Sequence, residues 1–412
     1  MTLELGKRVA FTIGALLVFR FGTYIPVPGI DPVVWEQVFR TQAGGLLATF
    51  NMFAGGGIHR LSIFALGIMP YVSAAIIVQL LTIVIPPLKT LKRSEAGRAR
   101  LETLTRIFAF AMAALQAYGI AVALEGVRGV VSEPGAMFRV STVLTMAGGV
   151  VFLMWLSGQI TVRGVGNGIA LFLALGIVAE LPVAIAGSLE LGRQGLLSFN
   201  AMLGLVIVAA ALTALIVVME LARRRVPLEF PGRQIGARTI AGRSQLSLKL
   251  NNSGIMSAIL ASWLLLVPTL AITLATEEGT PLWRTLTAWF AAGQPVYLIC
   301  QAVFIVACAM IYTALIFSPD AAAEDLKTYG GLVSGVEPGE ATAEHIDGVL
   351  SRVTLLGGAY LALVYLVPEL LIRYAQVPFY LGGASLLIVV CAILDLQAQI
   401  RGYATISAAT QR

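Results

Sequence analysis

Apolar runs bounded by charged, glycine or proline clusters recur along the whole sequence, at roughly 8–25, 62–86, 106–124, 142–161, 167–187, 200–222, 254–275, 297–317, 353–371 and 378–398. A helix rises about 1.5 Å per residue, so about 20 apolar residues cross about 30 Å of hydrocarbon. Inside lipid every backbone N–H and C=O needs a partner within the protein, and a helix supplies one within its own segment. The pattern therefore predicts an all-α integral membrane protein with ten transmembrane helices. Composition agrees: 58% of the residues are hydrophobic and 12% charged, where a soluble domain carries about 25% charged residues.

The net charge of +6 is explained by orientation and needs no nucleic-acid partner. With the N-terminus in the cytoplasm, Lys89, Lys92, Arg93, Arg98, Arg100 and Arg106 fall inside after the second run, followed by Arg163 and by Arg223, Arg224, Arg225, Arg233, Arg238, Arg243 and Lys249. Glu125, Glu133, Glu180, Glu190, Glu277, Glu278 and Glu369 fall outside. This is the positive-inside distribution, and it predicts that both termini are cytoplasmic. The inside loop 318–352 is acidic (Asp320, Glu324, Asp325, Glu337, Glu340, Glu344, Asp347), but acidic residues influence topology little. The N-terminal MTLELGKRVAFTIGALLVFRFG lacks a small-residue cleavage site and reads as a first span rather than a removable signal.

The chemistry of enzymes is hard to find in this chain. Cys300, Cys308 and Cys391 lie in apolar segments without CxxC spacing, and His59 and His345 are the only histidines, so no metal site or disulfide framework is expected. No P-loop, GxSxG, HExxH or dinucleotide fingerprint is present, and no catalytic residue or cofactor is assigned. The run interiors hold almost no Asp, Glu or His, the groups an ion-coupled transporter needs at membrane depth. Arg20 is the main exception, with Glu180 and Asp395 near run ends, and snorkelling or a structural pair is the simpler reading of all three. GVGNG at 164–168 reads as a tight loop, and by spacing alone Ile68, Val72 and Ile76 read as one packed helix face.

Between the first two runs lies GLLATFNMFAGGGIHRLSIFALG, too short to cross the membrane and interrupted by Gly55, Gly56 and Gly57. It reads as a re-entrant half helix, which requires an enclosed or water-lined surrounding. Two inside loops, 223–250 and 318–352, exceed a minimal connection and are rich in charge, as docking loops often are.

FRFGTYIPVPGID at 19–31 and SIFALGIMPYVSAAIIVQLL at 62–81 resemble the first-helix exit and second-helix signature of the SecY family. Further similar segments follow in order: MWLSGQITVRGVGNGIALFLALGIVAELP at 154–182, LSLKLNNSGIM at 246–256, SPDAAAEDLKTYGG at 318–331, PGEATAEHIDGVLSRVTLLGGAYLALVYLVPE at 338–369 and VPFYLGGASLLIVV at 377–390. The resemblance implies two inverted, pseudo-symmetric halves of five helices, residues 1–195 and 196–412, around an hourglass pore. It implies a gated channel that passes unfolded secretory polypeptides across the bacterial plasma membrane and releases transmembrane segments sideways into lipid.

Carried onto this sequence, the family's aliphatic pore ring falls on Ile68, Val72, Ile169, Leu173, Ile259 and Ile388. Its plug falls at about 46–60, with Phe50, Asn51, Phe53, Gly55, Gly56 and Gly57, and its lateral gate on Ser73, Gln79 and Asn251. Implied partners are SecE-like and SecG-like membrane subunits, signal sequences and nascent chains. The SecA motor and the ribosome are expected to dock on the loops carrying Arg223, Arg224, Arg225, Arg233, Arg238, Arg243 and Glu337. The chain departs from the family where GVEPG places Glu337 at an arginine position, where LSLKL replaces LPLKL, and where GIMSAILASW lacks a proline and carries Trp263. A specialised SecY homologue, a transporter of a small neutral solute and a non-conducting scaffold are the alternatives.

Overall fold

The computed structural model describes residues 2–42, 51–91, 94–235, 238–254, 256–262, 264–265, 280–281, 285, 289, 294–375 and 382–410. They fall into two compact units, dividing between Leu197 and Ser198. The first holds α1 (Thr2–Gly22), α2 (Pro32–Gln42), α3 (Met69–Val84), α4 (Pro86–Leu91), α5 (Glu95–Glu125), α6 (Ala136–Arg163) and α7 (Gly168–Arg193). The second holds α8 (Phe199–Leu221), β1 (Arg223–Ile235), β2 (Arg238–Lys249), α9 (Pro295–Ile316), α10 (Pro319–Thr328), β3 (Leu332–Val333) and α11 (Glu340–Ala375). The last helix, α12 (Gly383–Thr410), begins in the second unit and belongs to the first from Ile388 onward.

Among the described residues, seven helical stretches are long and apolar enough to span: Glu95–Glu125, Ala136–Arg163, Gly168–Arg193, Phe199–Leu221, Pro295–Thr328, Glu340–Arg373 and Gly383–Tyr403. The other three expected spans have separate explanations. α1 occupies the first run but carries Lys7, Arg8 and Arg20. The seventh run, 254–275, lies largely outside the described residues. The second run, read from sequence as one span over 62–86, becomes helical only at Met69.

That late start has a backbone cause. Gly67 sits at φ +56°, a left-handed conformation open to glycine but outside the helical basin. Pro70, in the first turn of α3, gives up no hydrogen bond there. The preceding residues 54–67 run through turns, and their peptide groups are paired by the exit of α1: Val27 N–H donates to the Leu61 carbonyl at 2.8 Å and Ile63 N–H to the Ile25 carbonyl at 2.9 Å. Leu61 itself stands at φ +41°, which costs a non-glycine residue about 1 kcal/mol and is offset by burial of its side chain.

α5 packs through a stripe at i, i+4 spacing, Ala109, Ala113, Ala117 and Ala121, all fully buried. Small residues let helix backbones approach closely in a membrane, where lipid is as apolar as leucine and packing decides association. Ser94 caps the start of α5, Ser198 that of α8 and Ser318 that of α10, each accepting from a backbone N–H three residues on.

The loop 223–250, expected as an inside connection, is an antiparallel hairpin of β1 and β2 paired from Arg223↔Lys249 to Ile235↔Arg238. β3, from the other inside loop, adds to the free edge of β1, giving the order β2-β1-β3. Val226, Leu228, Leu248, Val333 and Leu350 bury a small core beneath it. The two loops are thus one folded body, and the all-α reading lacked this sheet.

Candidate functional site

Among its described residues, the glycine-rich segment has a helical turn at 51–53 and then folds on itself. The Asn51 side chain accepts from the His59 N–H at 2.7 Å, and the Asn51 carbonyl from the Gly56 N–H at 2.9 Å. Trp35 Nε1–H, on α2, donates to the Ile58 carbonyl at 2.9 Å. From α1, Arg20 donates to the Gly55 carbonyl at 2.8 Å. Gly55 and Gly56 both have positive φ, +64° and +78°, a conformation L side chains rarely adopt, and each is closely packed. A Cβ on Gly55 would lie 3.3 Å from the Gly176 Cα of α7, and one on Gly56 would strike Glu180 and Arg60. Asn51 is buried, Phe53 half-buried and Gly57 buried, while Phe50 lies outside the described residues.

Gly67 packs on this segment, its would-be Cβ 3.4 Å from the Ala54 Cα. The next residue is Ile68, 2% exposed, and Val72 follows one turn on, its N–H donating to the Ile68 carbonyl at 3.2 Å. Ile169 and Leu173 stand one turn apart at the start of α7, half-buried and buried, and Ile388 is buried on α12. All five belong to the first unit; Ile259, half-buried in the helical stretch 256–262, belongs to the second.

The turn GVGNG that launches α7 is tied down by side chains. Thr12 Oγ1 accepts from the Val165 N–H at 2.9 Å, Gln399 Oε1 from Gly166 at 2.8 Å, and Thr161 Oγ1 from Gly168 at 3.1 Å. Asn167 Oδ1 accepts from Ile169 and Ala170, capping the helix. With its amides aligned and held, the turn sets the position of Ile169 at the first turn of α7.

Of the three proposed gate residues, Ser73 is buried and Gln79 half-buried on α3, in the first unit, and Asn251 is in the second. Asn251 is buried in a local polar network: its Nδ2 donates to Glu220 Oε1 at 2.6 Å, and its Oδ1 accepts from Gly254 N–H at 2.9 Å and from Ser253 at 3.3 Å. Tyr360 also donates to Glu220 Oε1, at 3.4 Å. Sequence reading missed Glu220, Tyr360, Thr12 and Gln399. The one available signal was a carboxylate, Glu220, closing an otherwise apolar run.

Arg223, Arg224 and Arg225 are exposed at the start of β1. On the strands, Arg233 is opposite Ile240, Arg238 opposite Ile235 and Arg243 opposite Glu229. Glu337 is exposed beyond β3 and its carbonyl accepts from Thr342 Oγ1 at 2.7 Å.

Apolar helices long enough to cross a membrane, seven such stretches among the described residues, with a glycine-rich segment seated on helices of the first unit, define a multispanning membrane protein. The chain belongs to the SecY family, whose sequence model matches residues 62–397. It is 44% identical to the protein translocase subunit SecY of Escherichia coli K12 over 404 residues, 97% of this chain and 91% of that protein. It is 43% identical to the SecY subunit of Pseudomonas aeruginosa over 403 residues, again 97% and 91%. Its fold is similar to a solved protein-conducting channel, with TM-score 0.63 at 18% identity over 96% of this chain and 91% of that one. It is similar also to canine Sec61 in a ribosome–channel complex, with TM-score 0.58 at 15% identity over 96% and 91%.

Proposed function

We propose that this protein is the channel subunit of a bacterial translocase: a gated, ten-span pore in the plasma membrane that passes unfolded polypeptides and releases apolar segments sideways. The observation that carries the reading is the seating of residues 51–60 against α1 and α7, immediately before Ile68. A short folded segment stopping a pore lined by Ile68, Val72, Ile169, Leu173, Ile259 and Ile388 accounts for both features. Aliphatic constrictions dewet and so block ions, and they offer a passing chain no hydrogen bonds to hold it.

The halves 1–195 and 196–412 form the two sides of the pore, and Ser73, Gln79 and Asn251 belong to its lateral exit. The sheet-bearing body of the two inside loops receives the SecA motor or the ribosome, which supply the energy, and Arg223, Arg224 and Arg225 suit ribosomal RNA phosphates. SecE-like and SecG-like subunits complete the assembly. The deciding experiment is site-directed photocrosslinking from residue 68 or 388 to a stalled secretory chain in membranes. Strong adducts are expected; none, with partners present, would overturn the reading in favour of a small-solute transporter.

A further inference from the structure

Two arginines converge on one aromatic ring beside the glycine-rich segment. The Arg20 guanidinium carbon stands 4.8 Å from the centre of the Tyr24 ring and that of Arg60 stands 4.3 Å from it. Arg20 also spends both ends of its fork, one on the Gly55 carbonyl and one on the Tyr24 hydroxyl, each at 2.8 Å. Arg60 reaches back to the Gly56 carbonyl at 3.3 Å. Two like charges on one ring need a counter-charge. Glu180 of α7 brings a carboxylate to the same place: a Cβ on Gly56 would meet Glu180 Oε1 and Arg60 Nη1 together, so the two groups flank the same bare Cα. That Glu180 oxygen is buried without a hydrogen-bond partner, and the Arg60 charge acts on it as a field at a longer range than an ion pair.

We infer that Arg20, Tyr24, Arg60 and Glu180 form a latch that holds residues 51–60 in the closed position, with Arg20 and Glu180 as its fixed jaws on α1 and α7 and Arg60 as the bolt carried by the segment. The inference rests on the reading of that segment as a plug. The bond to a backbone carbonyl holds the segment whatever its side chains, whereas the Arg60 contacts are electrostatic and weaken when a passing chain or a partner draws the segment away. Arg20 and Glu180 are positioning residues: they touch the plug and leave the aliphatic ring untouched.

The test is resting anion flux through proteoliposomes of the full chain purified with its membrane subunits, at equal incorporated protein. Arg20→Gln is expected to raise flux about tenfold, the equivalent of one charge-assisted hydrogen bond, and Arg20→Lys to restore part of it. Glu180→Gln and Arg60→Gln should each raise flux, and the double variant less than the two combined, because they remove one shared interaction. Tyr24 is 54% exposed, so Tyr24→Leu spares the core; a rise of about threefold there keeps the inference testable if Arg20→Gln fails to accumulate. Deletion of residues 51–60 separates the two levels. If the deletion raises flux while Arg20→Gln, Glu180→Gln and Tyr24→Leu stay at the unmodified level, the latch is overturned and the plug reading stands. If the deletion itself leaves flux unchanged, the plug reading falls and the latch with it.

Discussion

The hydroxyl oxygen of Thr12, on α1, accepts the amide hydrogen of Val165 at 2.9 Å, across 153 residues of sequence. Val165 is 1% exposed, so water cannot replace the threonine. Thr12→Val keeps the shape and orphans a buried N–H, a loss of about 1–3 kcal/mol. Thr12→Ser keeps the acceptor and should stay close to the unmodified protein. Thermal denaturation in detergent distinguishes them, and equal midpoints for Val and Ser would remove the clamp from the account of how α7 is positioned.

Gly176 on α7 lies against the glycine-rich segment. A Cβ there would stand 2.9 Å from the Phe53 carbonyl oxygen and 3.0 Å from that of Met52, neither of which can swing aside as a side-chain tip would. Gly176→Ala is expected to cost about 1–3 kcal/mol of the seated arrangement and to raise resting ion flux. An alanine variant as tight as the unmodified channel would mean that the segment is not pressed on α7 in the membrane.

Asn251 holds the start of the seventh run to α8 through Glu220. Asn251→Ala removes a hydrogen bond to a carboxylate, worth about 1.5–3 kcal/mol, and Asn251→Asp places a second carboxylate beside Glu220 and should be worse. Protease sensitivity near residues 250–254 reads the loosening. Asp tolerated as well as Ala would show that Glu220 is not the partner that matters.

Glu337 is exposed, so Glu337→Arg should change stability by less than about 0.5 kcal/mol. On the proposal that the sheet-bearing body receives the SecA motor, the same change should increase SecA-stimulated translocation. An unchanged rate assigns the residue to ordinary solvated surface.

The body formed by the two inside loops predicts a coupling that separate loops would lack. Val333→Asp, from the loop after α10, buries a charge against Val226, Leu228 and Leu248, which an apolar core resists strongly. Limited proteolysis should then cut the β1–β2 hairpin as well as the mutated loop; cleavage confined to the mutated loop would argue for independent elements.

Spans such as α5, α8 and α9 were legible because a membrane leaves a long apolar run little choice: its peptide groups must pair internally, and a helix does that locally. The hairpin was not read, although Val226 and Leu228 alternate with Arg225, Pro227 and Glu229, because charge in that stretch masks a two-residue period and its pairing with Leu332–Val333 comes from far along the chain. The beginning of α3 was missed for another reason. Hydropathy continues smoothly through 62–68, whereas the backbone there runs in turns tied to the exit of α1 and reaches the helix only after the positive φ of Gly67.

Sequence by itself determined that the chain crosses a membrane many times, which loops hold the positive charge and which family it resembles, since length, apolarity and motif order are properties of residues in line. Tertiary structure decided the rest: the conversion of two loops into one sheet, the use of Asn251 as a partner of Glu220, and the meeting of Arg20, Tyr24, Arg60 and Glu180 around Gly56. Those contacts depend on how backbones approach where a glycine leaves room, and no local pattern encodes a distance between residues far apart in the chain.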